Sequence, residues 1–273
     1  MTFSIAARSA DGESWGVAVA SKFLGVGAAV PAARAGLGAI ATQSFANVAY
    51  KRAGLALLAD GRSAQETLDS LLAGDPGRAK RQAGVVDAQG GAATFTGDEC
   101  YAWAGGITGP GVAIQGNILT GPEVVQAMYD GWVDSAAGLH LSDRLLRALI
   151  AGDGAGGDSR GRQSAALLVV REAGGYGHFD DVEVDLRVDD HAAPCAELAR
   201  ILKLHHLLFL EPRDDDLVPI EGDVADEIER HLRTLGFADL DAWLGAENLE
   251  MRVRDRSIDR RVLDRLREQA SGD

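Results

Sequence analysis

The sequence predicts a mixed α+β fold, in which two antiparallel sheets pack face to face with helices on both outer sides, followed by a small all-α domain. Three observations favour this arrangement. Strand patterns come in hairpins, such as the one around Asp11-Gly12. Helix patterns come in pairs between successive hairpins. After about residue 194 only helix patterns follow, so we divide the chain into residues 1–193 and residues 194–273.

The first hairpin begins at the N-terminus. Over residues 2–8, apolar side chains alternate with polar or small ones, which is the period of a half-buried strand. Residues 15–20 form a second, mostly apolar strand that ends at Ser21 and Lys22. A chain end that belongs to a sheet is held in place, so the second residue is predicted to have a fixed position.

The following elements alternate between strands and helices. A helix is predicted over residues 63–72 because Ser63 and Glu66 form a capping-box pattern, and Pro122 favours a helix start at residue 121. The remaining predictions, in order, are a strand at 36–44, a helix at 47–58, a hairpin of 82–87 and 92–96, a strand at 112–115, helices at 121–135 and 142–151, strands at 163–171 and 182–188, and helices at 196–210, 223–235, 239–249 and 258–270.

The composition limits the class of protein. The chain has 273 residues, of which 46% are hydrophobic and 25% charged, as is ordinary for a globular protein. A net charge of −14 argues against binding to nucleic acids or to anionic membranes. The sequence shows no signal-peptide pattern at its start and no apolar run long enough to span a bilayer. We therefore expect a cytoplasmic protein.

Metal-binding patterns are weak. Cys100 and Cys195 are far apart in sequence and show neither a metal nor a disulfide spacing. The Asp-Asp-His run at 189–191 contains three ligand types, but adjacent strand residues point to opposite faces, so the run does not form one site. We predict no metal and no organic cofactor.

Thr2 has the chemistry of a terminal nucleophile. Methionine before a small residue is commonly removed, which leaves Thr2 with a free α-amine beside its own hydroxyl. The reference pKa of an α-amine is about 7.7–8.0, so near pH 7 a useful fraction is neutral and can accept the hydroxyl proton. Lys22 is expected to lower that pKa further through like-charge repulsion. The alternative is that Thr2 is an ordinary strand residue.

Several segments resemble a known family. They are residues 20–24 (Ala-Ser-Lys-Phe-Leu), 41–43 (Ala-Thr-Gln), 115–117 (Gln-Gly-Asn), 161–164 (Gly-Arg-Gln-Ser) and 184–191 (Val-Asp-Leu-Arg-Val-Asp-Asp-His). In this order they resemble the bacterial domain-of-unknown-function 1028 family, which is grouped with the N-terminal-nucleophile (Ntn) hydrolases. The tail resembles the peptidoglycan-binding-like domain that accompanies this family, through residues 204–209, 236–237 and 243–252.

The resemblance implies a four-layer αββα sandwich (Ntn hydrolase-like), which agrees with the predicted order of elements. It also implies that Thr2 is the nucleophile. Ntn relatives cleave amide bonds by attack of the terminal side chain, and water then hydrolyses the acyl-enzyme. Lys22 would tune the Thr2 amine, or it would be an exposed lysine at a strand end.

The other candidate residues end or begin predicted strands. Gln43 and Asn117 offer amide donors for an oxyanion, and Ser44 offers a hydroxyl for a substrate; alternatively, these groups satisfy loop backbone. Gln163 and Ser164 follow a glycine-rich loop that can approach a ligand closely.

Asp185 and Arg187 share one face of the last strand of the first domain. They would either clamp a substrate or form a salt bridge with each other.

Two functions have sequence features in their favour, and a third, that of a purely structural assembly subunit, has none. The first is an Ntn-type amidohydrolase that cleaves a small amide, peptide or lactam, works as a homo-oligomer and needs no nucleic-acid or membrane partner. The second is a non-catalytic binding protein on the same scaffold, whose C-terminal domain binds a glycan, peptide or protein partner.

Overall fold

A computed structural model of the chain describes residues 2–212 and 214–272. The chain divides into two compact units, residues 1–202 and residues 203–273. The boundary expected from the sequence, after residue 193, lies just before a helix whose first half belongs to the first unit. Cys195, Leu198 and Leu202 of that helix join the buried core of the first unit, which explains the later division.

The first unit is a mixed α+β domain with antiparallel sheets, as predicted. Its elements in chain order are β1 (Thr2–Arg8), β2 (Ser14–Ser21), α1 (Val26–Ala29), β3 (Pro31–Arg34), β4 (Gly38–Ser44), α2 (Ala49–Ala59), α3 (Ala64–Ala73), β5 (Arg81–Asp87), β6 (Ala92–Thr96), β7 (Gly105–Gly109), β8 (Val112–Asn117), α4 (Glu123–Val133), α5 (Leu141–Gly154), β9 (Ser164–Arg171), β10 (Val182–Val188) and α6 (Pro194–Phe209).

The strands form two antiparallel sheets. One has the order β10-β9-β2-β1-β8-β7, and the other has the order β3-β4-β5-β6. Strand β1 therefore lies inside the larger sheet, paired with β2 on one side and with β8 on the other. Because both neighbours run antiparallel to β1, its first residue, Thr2, lies beside the ends of β2 and β8.

Alternation along β1 directs its side chains to two different cores. Phe3 and Ile5 pack into a cluster with residues of α4 and α5, whereas Ala6 packs into a cluster shared by the two sheets. Helices α2 and α3 pack against the smaller sheet over a third cluster. Each buried position of β1 is small or apolar except Thr2 and Ser4, so these two polar side chains need partners in the interior.

Helix ends follow the predicted signals. Ser63 caps α3, its hydroxyl accepting from the Glu66 backbone N–H while the Glu66 carboxylate accepts from the Ser63 N–H. Pro122 stands directly before α4 as its N-cap. In the part of the chain that the structure describes, no helix is both long enough and apolar enough to cross a membrane.

The C-terminal unit is helical but not all-α, which corrects the prediction. Its further elements are β11 (Leu217–Pro219), α7 (Asp223–Leu235), α8 (Leu240–Glu247), β12 (Val253–Arg254), β13 (Ser257–Asp259) and α9 (Arg260–Ser271). The three short strands pair in the order β11-β13-β12. Strands of two or three residues are too short to show a period of two. The turn at Asp255-Arg256 takes positive φ at both residues, without the Asn-Gly or Asp-Gly signal typical of such hairpins.

A buried ion pair lies in the core of this unit. Arg252 Nη2 is 2.7 Å from Asp259 Oδ2, and both side chains are fully buried. Asp259 also caps α9 by accepting from the Arg261 N–H. Burial acts to raise the pKa of Asp259, but the Arg261 hydrogen bonds and the nearby Arg252 charge outweigh it, so the pKa lies below its usual value.

We expect Asp259→Asn to destabilise the C-terminal unit by about 3–5 kcal/mol, because it leaves the Arg252 charge buried without its counter-ion. Chemical denaturation of the full chain, followed through Trp243 in the core of this unit, measures the effect. The matched control is Asp264→Asn on the exposed surface of α9, for which we expect a change within about 0.5 kcal/mol. Equal stability of the two variants would contradict a structural role for the buried pair.

Candidate active site

Thr2 lies in a buried polar position where three strands meet. It pairs in register with Asn117, the last residue of β8. On the other side, its Oγ1 is 3.1 Å from the hydroxyl oxygen of Ser21, the last residue of β2. Both hydroxyl groups are buried. The neighbouring hydroxyl of Ser21 therefore helps to fix the orientation of the Thr2 side chain.

Gln43 connects Thr2 to the smaller sheet. Its Nε2 donates to the Thr2 carbonyl at 3.3 Å, to the Gln115 carbonyl at 3.2 Å and to Gln82 Oε1 at 2.8 Å. Its Oε1 accepts from the Ser4 hydroxyl at 2.7 Å. The Gln43 amide thus anchors the backbone of Thr2, and its donor hydrogens are directed at these acceptors.

Backbone carbonyls determine the orientation of the neighbouring amides. Gln82 Nε2 donates to the Gly116 carbonyl at 2.7 Å and to Thr96 Oγ1 at 2.8 Å. A carbonyl oxygen can only accept, so the nitrogen of Gln82 must face Gly116 and its Oε1 must face the other way. That Oε1 accepts from Gln43 and from Asn117 Nδ2, the latter at 2.8 Å. Because Gln82 Oε1 can only accept a hydrogen bond, Asn117 must direct its Nδ2, and not its Oδ1, toward Gln82.

Gln115 extends the same network toward the interior. Its Nε2 donates to Ser4 Oγ at 2.6 Å, and its Oε1 accepts from the Thr94 hydroxyl at 3.2 Å. Gly84 of β5 lies opposite, where an added Cβ would be 2.0 Å from Gln115 Oε1. The glycine leaves the space that this buried amide occupies between the sheets.

Asn117 Oδ1 is the exception in this network. It is fully buried and, among the described residues, accepts no hydrogen bond. A buried acceptor without a donor costs about 1–3 kcal/mol. Because Asn117 is the register partner of Thr2, this oxygen belongs to the Thr2 site and is suited to accept a hydrogen bond from a group that binds or forms there.

Lys22 and Ser21 occupy different surroundings. The backbone N–H of Lys22 donates to Asp158 Oδ2 at 2.7 Å, and its exposed Nζ donates to the Arg162 carbonyl at 3.2 Å. Ser21, which the sequence analysis does not select, is the residue whose side chain meets Thr2. The hairpin register could have indicated it, since a turn centred on Asp11-Gly12 pairs Thr2 with Ser21.

Other predicted residues lie at the same end of the sheets. Ser164 is the register partner of Ser21, and its hydroxyl donates to the Phe23 carbonyl while accepting from the Val26 N–H. Ser44 ends β4 with a positive φ of 66°. Ser164 thus binds the backbone of the segment that follows β2.

Three predicted residues are engaged with partners of their own. Gln163 Nε2 donates to Asp190 Oδ1 at 3.2 Å. Arg187 donates two hydrogen bonds of 2.9 Å to the Asp185 carboxylate, and this pairing raises the pKa of Arg187. Both side chains of the pair are substantially exposed. The structure therefore shows these two residues as a surface ion pair.

Asp75 supports the segment after Gln43. Its carboxylate accepts from Arg81 Nε at 2.8 Å, from Asn47 Nδ2 at 2.9 Å and from the Tyr50 hydroxyl at 2.9 Å. Arg81 in turn donates to the Phe45 carbonyl at 2.6 Å. The Arg81 hydrogen bond is the largest cause that holds the pKa of Asp75 far below its usual range.

We expect Asp75→Asn to destabilise the chain by about 2 kcal/mol at pH 7, because hydrogen bonds to a charged acceptor are lost. The folded-state pKa of Asp75 is depressed, so its contribution is present above the unfolded value near 3.9 and is lost as the pH falls. The difference between wild type and variant should therefore shrink below about pH 4. Denaturation curves at pH 7 and pH 3 measure it, with exposed Asp69→Asn as control. If the difference in stability between wild type and Asp75→Asn is the same at both pH values, the charge of Asp75 does not stabilise the fold.

A small cavity adjoins Ser21. Its volume is about 80 Å³, and it is lined by Phe3, Ala20, Ser21, Asp153, Gly156, Asp158, Gly161, Arg162 and Pro194. This volume holds a few water molecules at most. Within residues 2–212 and 214–272, no group of three or more His, Cys, Asp and Glu side chains is arranged to hold a metal ion.

Comparisons with known proteins identify the family. Residues 2–198, which form most of the mixed α+β domain with its two antiparallel sheets, match the model of DUF1028, a family of unknown function. The chain belongs to this family. Residues 208–266 match a second model, described as "Putative peptidoglycan binding domain".

A solved structure supports the assignment. The crystal structure of a Silicibacter pomeroyi protein, assigned to the DUF1028 family model, is similar to this chain with a TM-score of 0.67 and 31% sequence identity. The similarity covers 83% of this chain and 92% of the other. None of the curated proteins matches the chain significantly.

Proposed function

We propose that the chain is an Ntn-type amidohydrolase in which Thr2, once its α-amine is free, is the nucleophile. The observation that carries this proposal is the position of Thr2, which lies buried at the start of an interior strand, beside a hydroxyl group and an unsatisfied amide oxygen. Met1 lies outside the described residues. The substrate class is a small amide, peptide or lactam.

The stacking of sheets and helices supports the same proposal. Three apolar clusters form the packed interfaces between successive layers. The first lies between the helices α4 and α5 and the larger sheet, the second between the two sheets, and the third between the smaller sheet and the helices α2 and α3. This order agrees with an αββα sandwich of the Ntn type, whose terminal residue begins a central strand. Fold analogy alone does not assign a reaction, so the proposal depends on the residues around Thr2.

Thr2 and water supply the reacting groups. The neutral α-amine takes the proton of Oγ1 as that oxygen attacks the amide carbonyl carbon. The C–N bond breaks, the ammonium returns its proton to the departing nitrogen, and an ester joins Thr2 Oγ1 to the acyl group. A water molecule, deprotonated by the same amine, then attacks the ester carbonyl carbon. The bond between that carbon and Thr2 Oγ1 breaks, the ammonium returns its proton to Oγ1, and the carboxylic acid is released.

The neighbouring residues receive distinct roles in this proposal. Asn117 Oδ1 accepts a hydrogen bond from the α-amine, and the second hydrogen of its Nδ2 faces the developing oxyanion. Gln43 positions Thr2 through the Thr2 carbonyl. Ser21 orients the Thr2 hydroxyl, and Lys22 acts on the amine only through its charge.

Trapping of an acyl adduct tests the proposal. The protein with a free Thr2 amine is incubated with p-nitrophenyl acetate, and peptide mapping by mass spectrometry locates the added acetyl group. The proposal predicts an ester on Thr2 that disappears on standing as water hydrolyses it. Acetylation that is confined to surface lysines, as in the denatured protein, would contradict it.

On sequence grounds, we further propose that the protein is cytoplasmic and forms a homo-oligomer. The proposed reaction uses no metal and no organic cofactor. Light scattering of the purified chain measures the oligomeric state directly.

A second function is favoured by the match of residues 208–266 to a peptidoglycan-binding family. In the C-terminal unit, Ile228, Leu232, Phe237 and Leu240 line a groove of about 440 Å³, whose lining also includes the exposed charged residues Glu229, Arg233 and Asp239. An apolar surface with exposed charges of both signs suits a short peptide attached to a glycan. Co-sedimentation of the full chain with insoluble peptidoglycan tests this function independently of Thr2.

A further inference from the structure

Exposed aromatic side chains lie on segments that leave the end of the sheets at which Thr2 lies. Phe23 follows Ser21 by two residues, and Phe45 follows Gln43 by two residues. Two residues span at most about 7 Å of chain, so both segments leave directly from neighbours of Thr2. Single exposed aromatics need no explanation, but aromatics on successive loops around one polar site do.

Phe45 and Tyr101 form a defined pair within this group. Their ring centroids are 5.9 Å apart at an interplanar angle of 67°, an edge-to-face contact. The two side chains are nevertheless 49% and 61% exposed. About half of Phe45 and more than half of Tyr101 are therefore accessible to a ligand.

The backbone holds both rings in place. The Phe45 N–H donates to the Lys80 carbonyl, and its own carbonyl accepts from Arg81. The Tyr101 carbonyl accepts from the N–H of Ile118, the residue after Asn117. Ile118 has a φ of 51°, an outlier for a β-branched residue. Such strain persists where surrounding contacts determine the conformation, and it is often found at functional sites.

The charges near the pair do not favour an ionic ligand. Lys80 Nζ lies 5.9 Å from the Phe45 ring centroid, but it is also 3.6 Å from Glu99. The polar groups that can align an amide are instead those of the Thr2 site. A ligand that contacts both the Thr2 site and the Phe45–Tyr101 pair would place an amide at the Thr2 site and an aromatic group against the two rings.

We propose that Phe45 and Tyr101 form a subsite for an aromatic group next to the amide that Thr2 attacks. This inference rests on the proposed function and names its substrate class: peptide-like amides with an aromatic side chain beside the scissile bond. The subsite is preformed, so it binds such a group whether or not the Thr2 amine is free.

Ligand binding tests the subsite separately from the chemistry. Ligand-observed NMR compares N-acetylphenylalaninamide with N-acetylalaninamide on the full chain. The first is expected to bind about tenfold more tightly, because a phenyl ring leaves water. Phe45→Ala and Tyr101→Ala are expected to remove most of this preference. The matched control is Phe179→Ala, 96% exposed in the turn between β9 and β10. This turn lies at the opposite end of β9 from Ser164, and the eight residues of β9 span roughly 23 Å.

The outcomes separate the two proposals. Equal binding of the two amides to the wild type, or an unchanged preference in both site variants, would overturn the subsite. Loss of the preference in the Phe179 variant as well would also overturn it. A preference that depends on Phe45 and Tyr101, together with no acyl adduct on Thr2, would support the subsite while contradicting the proposed reaction. Thermal melts show whether each variant is folded.

Discussion

Thr2→Ala is expected to abolish the hydrolysable ester at residue 2 and to reduce turnover by at least a factor of about a thousand, because the attacking oxygen is absent. Thr2→Ser keeps both the hydroxyl and the α-amine and should retain activity within about tenfold. The fold should tolerate both changes, since the side chain of Thr2 makes a hydrogen bond worth about 1 kcal/mol with Ser21. Stopped-flow release of p-nitrophenolate, with intact mass as a check, measures the rates.

Ser4→Ala is the matched control for Thr2→Ala. Ser4 lies two residues along the same strand with a buried hydroxyl in the Gln43 and Gln115 network, but not at the strand end. We expect it to lower stability while the adduct still forms on Thr2. Equal loss of activity in both variants would mean that disruption of the strand explains the result, and it would remove the evidence for Thr2 as the nucleophile.

Asn117→Asp is expected to move the pH dependence of acylation upward. The Oδ1 position keeps an acceptor but gains a negative charge beside the α-amine, which favours the ammonium form and raises the amine pKa by about 1 unit or more. A larger fraction of the amine is then protonated at pH 7, so the rate falls there and recovers at higher pH. Loss of the amide donor to the oxyanion lowers the plateau by about 10²–10³-fold.

Gln115→Met controls for damage to the buried amide network. It removes hydrogen bonds to Ser4 and Thr94 in the same layer while preserving the volume of the side chain. We expect lower stability with an unchanged midpoint of the pH–rate profile. If Asn117→Asp lowers the rate without moving the midpoint, Asn117 does not contact the amine and the role assigned to its Oδ1 is wrong.

The sequence predicts the strands at the site well because their signals are local. Alternation over the first strand, the Asp11-Gly12 turn and polar residues at strand ends are all visible without tertiary information. They lead to Thr2, Gln43 and Asn117, which the structure brings together through direct hydrogen bonds or register. Charge and a place at the end of the second predicted strand favour Lys22, whereas the hairpin register pairs Thr2 with Ser21.

Other features depend on contacts that no local pattern contains. Gln82 is the second residue of β5 in the smaller sheet. Its hydrogen bonds with Gly116, Gln43 and Asn117 depend on how the two sheets face each other. Strand β7 escapes prediction because three of its five residues are glycine, which hides the alternation. The paired strands of the C-terminal unit are not predicted either, because strands of two or three residues are too short to show alternation.

The central claim is that the free amine of Thr2 makes its hydroxyl reactive. We would produce the chain as two fusions to a removable N-terminal domain, one processed directly before Thr2 and the other directly before Met1. Both are treated with p-nitrophenyl acetate, and peptide mapping quantifies the ester on Thr2 Oγ1, which water hydrolyses, separately from the stable amide formed by acetylation of an amine. We expect the hydrolysable ester only in the chain that begins with Thr2. Equal labelling of Thr2 Oγ1 in both chains, or labelling in neither, would contradict the central claim.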